Sequence, residues 1–137
     1  LLFIADTNNH RVRVVDGSMT RKYTIYTAVG TGDQGFRQPE SGLAMEAHLS
    51  EPSGVALDED RRWLFVADTL NNVVRVVDMS QTTEYRRWTT WVLFGTPGVF
   101  EYRGDGGSAA LAGVQSPRGM EYDASRGWLY VTDSEAA

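Results

Sequence analysis

The sequence predicts an all-β protein built from repeated four-stranded antiparallel sheets. Three observations carry that prediction. The stretch FIADTNNHRVRVVD (3–16) returns as FVADTLNNVVRVVD (65–78), and a third copy begins as YVTDS (130–134). These stretches are rich in Val, Ile, Phe, Tyr, Trp and Thr, which favour strands. Asp, Asn and Gly punctuate them, and no segment keeps a long helical period.

The landmarks have a fixed spacing. Asp6, Asp68 and Asp133 stand 62 and 65 residues apart. Gly30 pairs with Gly95, Pro52 with Pro117, Gly54 with Gly119, Asp58 with Asp123 and Trp63 with Trp128, all at the longer interval. An insertion of three residues around Ser80–Glu84 accounts for the difference. Self-similarity at such a period marks a repeat architecture.

Each element follows from its residues. FIAD and the valine-rich segment after it supply two strands, and YTIYTAV (23–29) supplies a third. GVALD (54–58) opens the second unit and a polar turn at Glu59–Arg62 closes it. RWLFVAD (62–68) is nearly all apolar, as in a strand covered on both faces. NNVVRVVD (71–78) alternates, with Arg75 between valines, and WTTWVLF (88–94) completes the unit. GMEYD (119–123) and the YVTDS strand begin a third. The strands of a unit are lettered a to d. A lone sheet has two apolar faces and buries both only against its neighbours. Phe65 and Val66 are therefore expected among the least exposed residues, with Phe3 and Ile4 matching them.

The expected division is a partial unit at 1–30, a long link at 31–51, a full unit at 52–95, a second link at 96–116 and a partial unit at 117–137. That makes nine strands, too few to close a ring of sheets. The chain has no start methionine and opens inside a strand, so a segment of a longer protein is expected. Bare outer faces at Val12, Val14 and Tyr130 are expected to drive self-association.

The pattern over 52–78, with GTG (30–32) and GDGG (104–107) between units, closely resembles the NHL-repeat family. Pro52, Gly54, Asp58, Ala67, Asp68, Asn71 and Arg75 fall on the family pattern. The Arg that usually follows the Asn pair is Arg11 in the first unit, and the second unit departs there with Val73. The resemblance implies a β-propeller, here an incomplete one, with one four-stranded blade per unit around a channel. It implies no single function, because the family holds scaffolds, receptors, RNA binders and a class of enzymes.

Composition narrows the classes. With 42% hydrophobic and 23% charged residues and a net charge of −5, the chain disfavours nucleic acid as a partner. No apolar run approaches a membrane span. The absence of cysteine removes thiolate metal sites and fits a cytoplasmic setting, and nothing in the chain assigns a location.

Strand directions sort the loops. The turns between strands b and c (DTNNH and DTLNN) share one side, face X, with the long links. The turns between a and b, and the c–d loops, share face Y. Links of this length are uncommon unless functional or partly structured. LAMEAHL (43–49) is expected to form a short helix with Ser41 as its N-cap and to include His48, and SAALAGV (108–114) is its counterpart. The candidate surface for a ligand or partner is therefore Asn8, Asn9, His10, Asn71, Asn72, Arg103 and Asp105. Asp6, Asp68 and Asp133, with Gly54 and Gly119, are expected as structural turn anchors, each Asp accepting hydrogen bonds from its own b–c turn.

Other patterns carry less. GTGDQG (30–35) matches G-x-G-x-x-G but has no βαβ context. RGD (103–105) aligns with QPE (38–40) and belongs to a turn. Arg61–Arg62 and Arg86–Arg87 read as solvated charges on face Y. His10 and His48 show no metal-ligand spacing, and no nucleophile–base pair is evident. No catalytic residue, metal site or cofactor is assigned. A ring of Asp6, Asp68 and Asp133 leaves a calcium or zinc ion at the channel open as an option. The leading expectation is a binding scaffold for a protein partner or small ligand. The alternatives are a metal-assisted propeller enzyme of lyase or lactonase type and an RNA-binding domain.

Overall fold

The computed structural model describes residues 1–40 and 42–134. Among them run nine strands: β1 (Leu2–Asp6), β2 (Arg11–Asp16), β3 (Thr24–Val29), β4 (Gly54–Asp58), β5 (Trp63–Asp68), β6 (Val73–Asp78), β7 (Thr89–Gly95), β8 (Pro117–Asp123) and β9 (Trp128–Asp133). They form three antiparallel sheets, ordered β1-β2-β3, β4-β5-β6-β7 and β8-β9. The fold is all-β, and the remaining regular pieces among the described residues are single 3-10 turns.

The repeat extends to the backbone. His10 and Asn72 end their turns in the left-handed region, at φ 51° and 56°. Glu51 and Ser116 occupy it at the ends of the links, at 48° and 53°. Both inner register shifts fall at matching places, between Val12 and Arg13 and between Val74 and Arg75. Gly30 and Gly95 need to be glycine: at φ +92° and +93°, a Cβ would meet the carbonyl oxygen of His10 at 2.8 Å or of Asn72 at 2.3 Å.

The core lies between the first two sheets. Val12, Val14, Ala28 and Val29 meet Leu64, Val66 and Val77, while Ala44, Ala47 and Leu49 of the link and Trp88 close the layer. Each fully buried Val or Leu contributes roughly 1.5–3 kcal/mol. The other side of β5 meets the third sheet, where Phe65 packs on Tyr122 with ring centroids 5.5 Å apart. Phe65 and Val66 are 5% and 0% exposed, so β5 is covered on both sides.

Two expectations about exposure are corrected. Val12 and Val14 are not bare: opposite Ala5 and Phe3 in the register, they point at the second sheet and are buried. Ile4 does not match Val66. It lies on the side of the first sheet that no sheet covers, and it is 37% exposed. Phe3 is half-buried against Trp88. Tyr130 and Trp128 lie on the outer side of the third sheet, exposed.

The first link is a folded hairpin. Gly35 N–H donates to Leu49 O and Arg37 N–H to His48 O. Its middle lies along the start of β7, with Ala44 N–H donating to Trp88 O and Thr90 N–H to Gly42 O, each at 2.8 Å. The helix expected over 43–49 is one 3-10 turn, Ala44–Glu46, with Leu43 at its N-cap and no side-chain cap. The segment is too short to propagate helix, and its carbonyls are used across the link instead. His48 lies beyond that turn, bridged to Arg37. Ser41 lies outside the described residues. The second link carries the matching 3-10 turn, Ala109–Leu111.

Candidate functional site

A buried ion pair sits beneath the first link. Asp68 and Arg75 are both fully buried, with Arg75 Nε 2.8 Å from Asp68 Oδ2. Asn71 Nδ2 donates to both carboxylate oxygens at 2.9 Å, and Ser50 N–H donates to Oδ1 at 2.7 Å. The link supplies acceptors to both terminal nitrogens of the guanidinium. Nη1 donates to Gln38 Oε1 at 3.0 Å, and Nη2 reaches the carbonyls of Arg37 and His48 at 3.5 and 3.4 Å. Phe36 covers it, with its ring centroid 4.9 Å away. Burial pushes the Asp68 carboxyl above the ordinary range, while Arg75, Asn71 and the Ser50 amide pull it down. Burial outweighs the donors that converge on both oxygens.

The end of each link is stapled to two sheets by side chains of the b–c turns. In the first link, Ser50 N–H goes to Asp68 on the second sheet, and Glu51 N–H goes to His10 Nδ1 on the first, at 3.2 Å. In the second link, Gln115 N–H goes to Asp133 Oδ1 and Ser116 N–H to Asn72 Oδ1, both at 3.0 Å. Asn71 Nδ2 also reaches Gly35 O at 2.7 Å, and Asn72 Nδ2 reaches Val99 O at 3.3 Å.

These bonds locate the residues singled out from the sequence. Asn71 and Asn72 are only 7% and 0% exposed. Their amides hold the links and shape face X from beneath. Asn8 and Asn9 are exposed, with Asn9 Nδ2 donating to Asp6 Oδ1 at 2.8 Å. Arg103 and Asp105 are exposed in the second link, where Arg103 stands 3.7 Å from Glu101 and Asp105 accepts from the Tyr102 hydroxyl. Gly54 marks a close approach of backbones, since a Cβ there would lie 1.9 Å from Arg118 O. Gly119 N–H donates to Thr132 Oγ1 at 2.9 Å. The pairing of Arg75 with Asp68 was not read from the sequence. Its signal was present: Arg13 and Arg75 each follow the repeated Asp by seven residues, inside runs of valine.

The solvent side of face X mixes polar and aromatic groups on this stapled frame. Asn8, Asn9 and Arg37 are exposed, as are Phe36 at 41% and Leu70 at 42%, and the second link adds Phe100 and Tyr102 at 67% and 59%. Face Y is different. Arg61 donates to both Asp58 and the Tyr122 hydroxyl at 2.8 Å, and Arg87 stands 3.4 Å from Glu84. Two of its arginines, Arg61 and Arg87, are thus paired locally. Among the described residues no group of three or more His, Asp or Glu is placed to hold a metal ion, and no helix is long and apolar enough to cross a membrane.

Comparison with known proteins agrees with the repeat. No family model matches the chain. Over 80 residues it is 38% identical to the Arabidopsis thaliana protein SUPPRESSOR OF QUENCHING 1, chloroplastic, covering 58% of this chain and 7% of that protein. Human NHL repeat-containing protein 2 is 38% identical over 79 residues, covering 58% of this chain and 10% of the relative. The chain therefore spans about a tenth or less of the length of these two relatives. Among solved structures, a Bacteroides thetaiotaomicron protein of unknown function superposes with a TM-score of 0.75 at 20% identity, over 96% of this chain and 29% of that one. An auxiliary nutrient binding protein of the same organism superposes with 0.66 at 17% identity, over 96% of this chain and 32% of that one. At these identities the structural likenesses carry the fold alone.

Proposed function

Because the chain is built of NHL-type repeats on propeller-like blades, we propose that it is a binding scaffold whose working surface is face X, taking a protein partner or a small ligand. The observation that carries this reading is the contrast between frame and surface. The links are stapled at their ends by Asp68, His10, Asn72 and Asp133, while Asn8, Asn9, Arg37, Phe36, Tyr102, Arg103 and Asp105 stand outward. A rigid frame lowers the ordering cost of binding, and exposed aromatic and Arg side chains are the types that anchor partners.

Site-directed photo-crosslinking tests the reading. Crosslinkers at Asn8, Arg37 and Arg103 are compared with crosslinkers at Arg62 and Arg86 on face Y, in native extract. Adducts concentrated on face X are expected, and replacing Arg103 and Asp105 with Ala is expected to reduce them several-fold. Equal capture on both faces overturns the assignment.

The same reading includes association between copies. Leu2, Ile4 and Ile25 on one outer side, and Trp128 and Tyr130 on the other, are exposed apolar groups on open sheets. Light scattering at micromolar concentration is expected to show species larger than the 15.2 kDa chain. A monomer throughout removes self-association from the reading.

A further inference from the structure

The two links are stapled by different chemistry. At the end of the first b–c turn, His10 accepts the Glu51 N–H through Nδ1 at 3.2 Å. At the matching point of the second unit, Asn72 accepts the Ser116 N–H through Oδ1 at 3.0 Å. Both acceptors stand in the left-handed backbone region, and both amides belong to residues in that region too. The geometry is repeated, but only one acceptor can take up a proton.

We propose that the His10 staple is a proton-operated latch on the first link. An imidazole accepts through Nδ1 only while that nitrogen is bare. Protonation places an N–H against the Glu51 N–H, and the bond is lost. Among side chains, imidazole is the one that ordinarily gains a proton between about pH 5 and 8. Release frees the blade-one side of the link, while Ser50 N–H stays bound to Asp68 on blade two. The link then remains tethered on one side, and the edge of face X beside Asn8 and Asn9 loosens. The second link, held by Asn72, does not respond.

The surroundings leave the proton uncompensated. On the turn itself, Asp6 is engaged by Asn9 and stands 3.7 Å from Arg13. Arg11, the next residue, donates to the carbonyls of Asn9 and Thr31. On the link, Glu51 supplies the N–H itself, and Asp33 stands 4.0 Å from His48. Among the described residues no carboxylate lies within ion-pair distance of His10. The chain's other histidine works in the opposite sense, since protonated His48 is drawn to Asp33. That pair is long, and the Asp33 side chain is 78% exposed, so screening leaves it weaker than the lost staple.

Amide exchange read by NMR tests the latch in the intact chain, without reference to any ligand. Between pH 7.5 and 5.5, after correction for intrinsic exchange, protection at Glu51 is expected to fall roughly fivefold, as for one net hydrogen bond. Protection at Ser116 is expected to stay constant. In His10→Asn the first link carries the second link's acceptor, and Asn tolerates the left-handed turn. Its Glu51 protection is expected to be independent of pH. His48→Gln is expected to keep the wild-type response. An unchanged Glu51 protection in the wild type overturns the latch, as does a fall that persists in His10→Asn.

Discussion

The pairs Asp6–Arg13 and Asp68–Arg75 occupy the same place in successive repeats and live in different surroundings. The first is 3.7 Å long, with side chains 25% and 31% exposed. Arg13 Nε is buried there without a hydrogen-bond partner. The second is 2.8 Å long, fully buried, and enclosed by Phe36, Arg37, Gln38, His48 and Ser50 of the link. The comparison teaches that the repeated Asp and Arg do not make a buried ion pair by themselves. The link makes it, by excluding water and supplying acceptors to both terminal nitrogens of the guanidinium.

The largest test of that difference removes the arginines. Arg75→Ala leaves the Asp68 carboxylate buried and unpaired, and breaking a buried pair in this way costs about 3–5 kcal/mol. Arg13→Ala is expected to cost under about 1 kcal/mol, as for solvent-reached pairs. Urea unfolding of both variants reads the gap, and equal losses would show that the link adds nothing. A second test moves to the apolar positions of the same repeat. Leu64 is 1% exposed and Leu2, its counterpart, is 62% exposed. Leu64→Ala is expected to cost about 2–5 kcal/mol and Leu2→Ala a small fraction of that.

The smallest effect is in acid. On face Y, burial would raise the Asp58 carboxyl, but hydrogen bonds from Arg61 and the Tyr122 hydroxyl hold it below the usual 3.8. The unfolded chain then takes up the proton first. Asp58 therefore contributes stability that is complete above 3.8 and lost as pH falls through its lower folded value. Asp68, pushed up by burial, works with the opposite sign: its contribution is present below 3.8 and lost as pH rises through its folded value. Stability measured from pH 3 to 6 is expected to lose part of its acid slope in Asp58→Asn and to steepen in Asp68→Asn.

The strands were legible because packing imposes a local, periodic rule: each copy of LFVAD or its kin meets the same need to bury two faces. The links were less legible because their partners lie far along the chain. Nothing near Arg75 says that Gln38 and His48 will complete it. Asn71 and Asn72 look like exposed turn residues by type, yet a link arriving from another unit covers them. The misreadings of Ile4 and Val12 have the same origin. Period-2 alternation tells which residues share a side of a strand, but not which side receives a neighbour. Asp68 was read as an anchor of its own turn, and Asn71 of that turn donates to it. Its wider bonding depends on Ser50 and Arg75, which only the assembled sheets bring together.

The contact between the first link and β7 has a consequence for how the chain matures. Residues 42–44 lie along residues 88–90, so the link rests on a strand whose opening residues come some 45 positions later. As the polypeptide emerges in order, β1 to β3 are complete and the link can bond to itself and to the end of β3 while its partner on the second sheet is still missing. Its outer side is bonded only when the last strand of the second sheet arrives. Such long-range closure is slow compared with hairpin formation. The nascent chain therefore carries an unsettled stretch through the making of a whole sheet, and that sheet and the link become protected from proteases together.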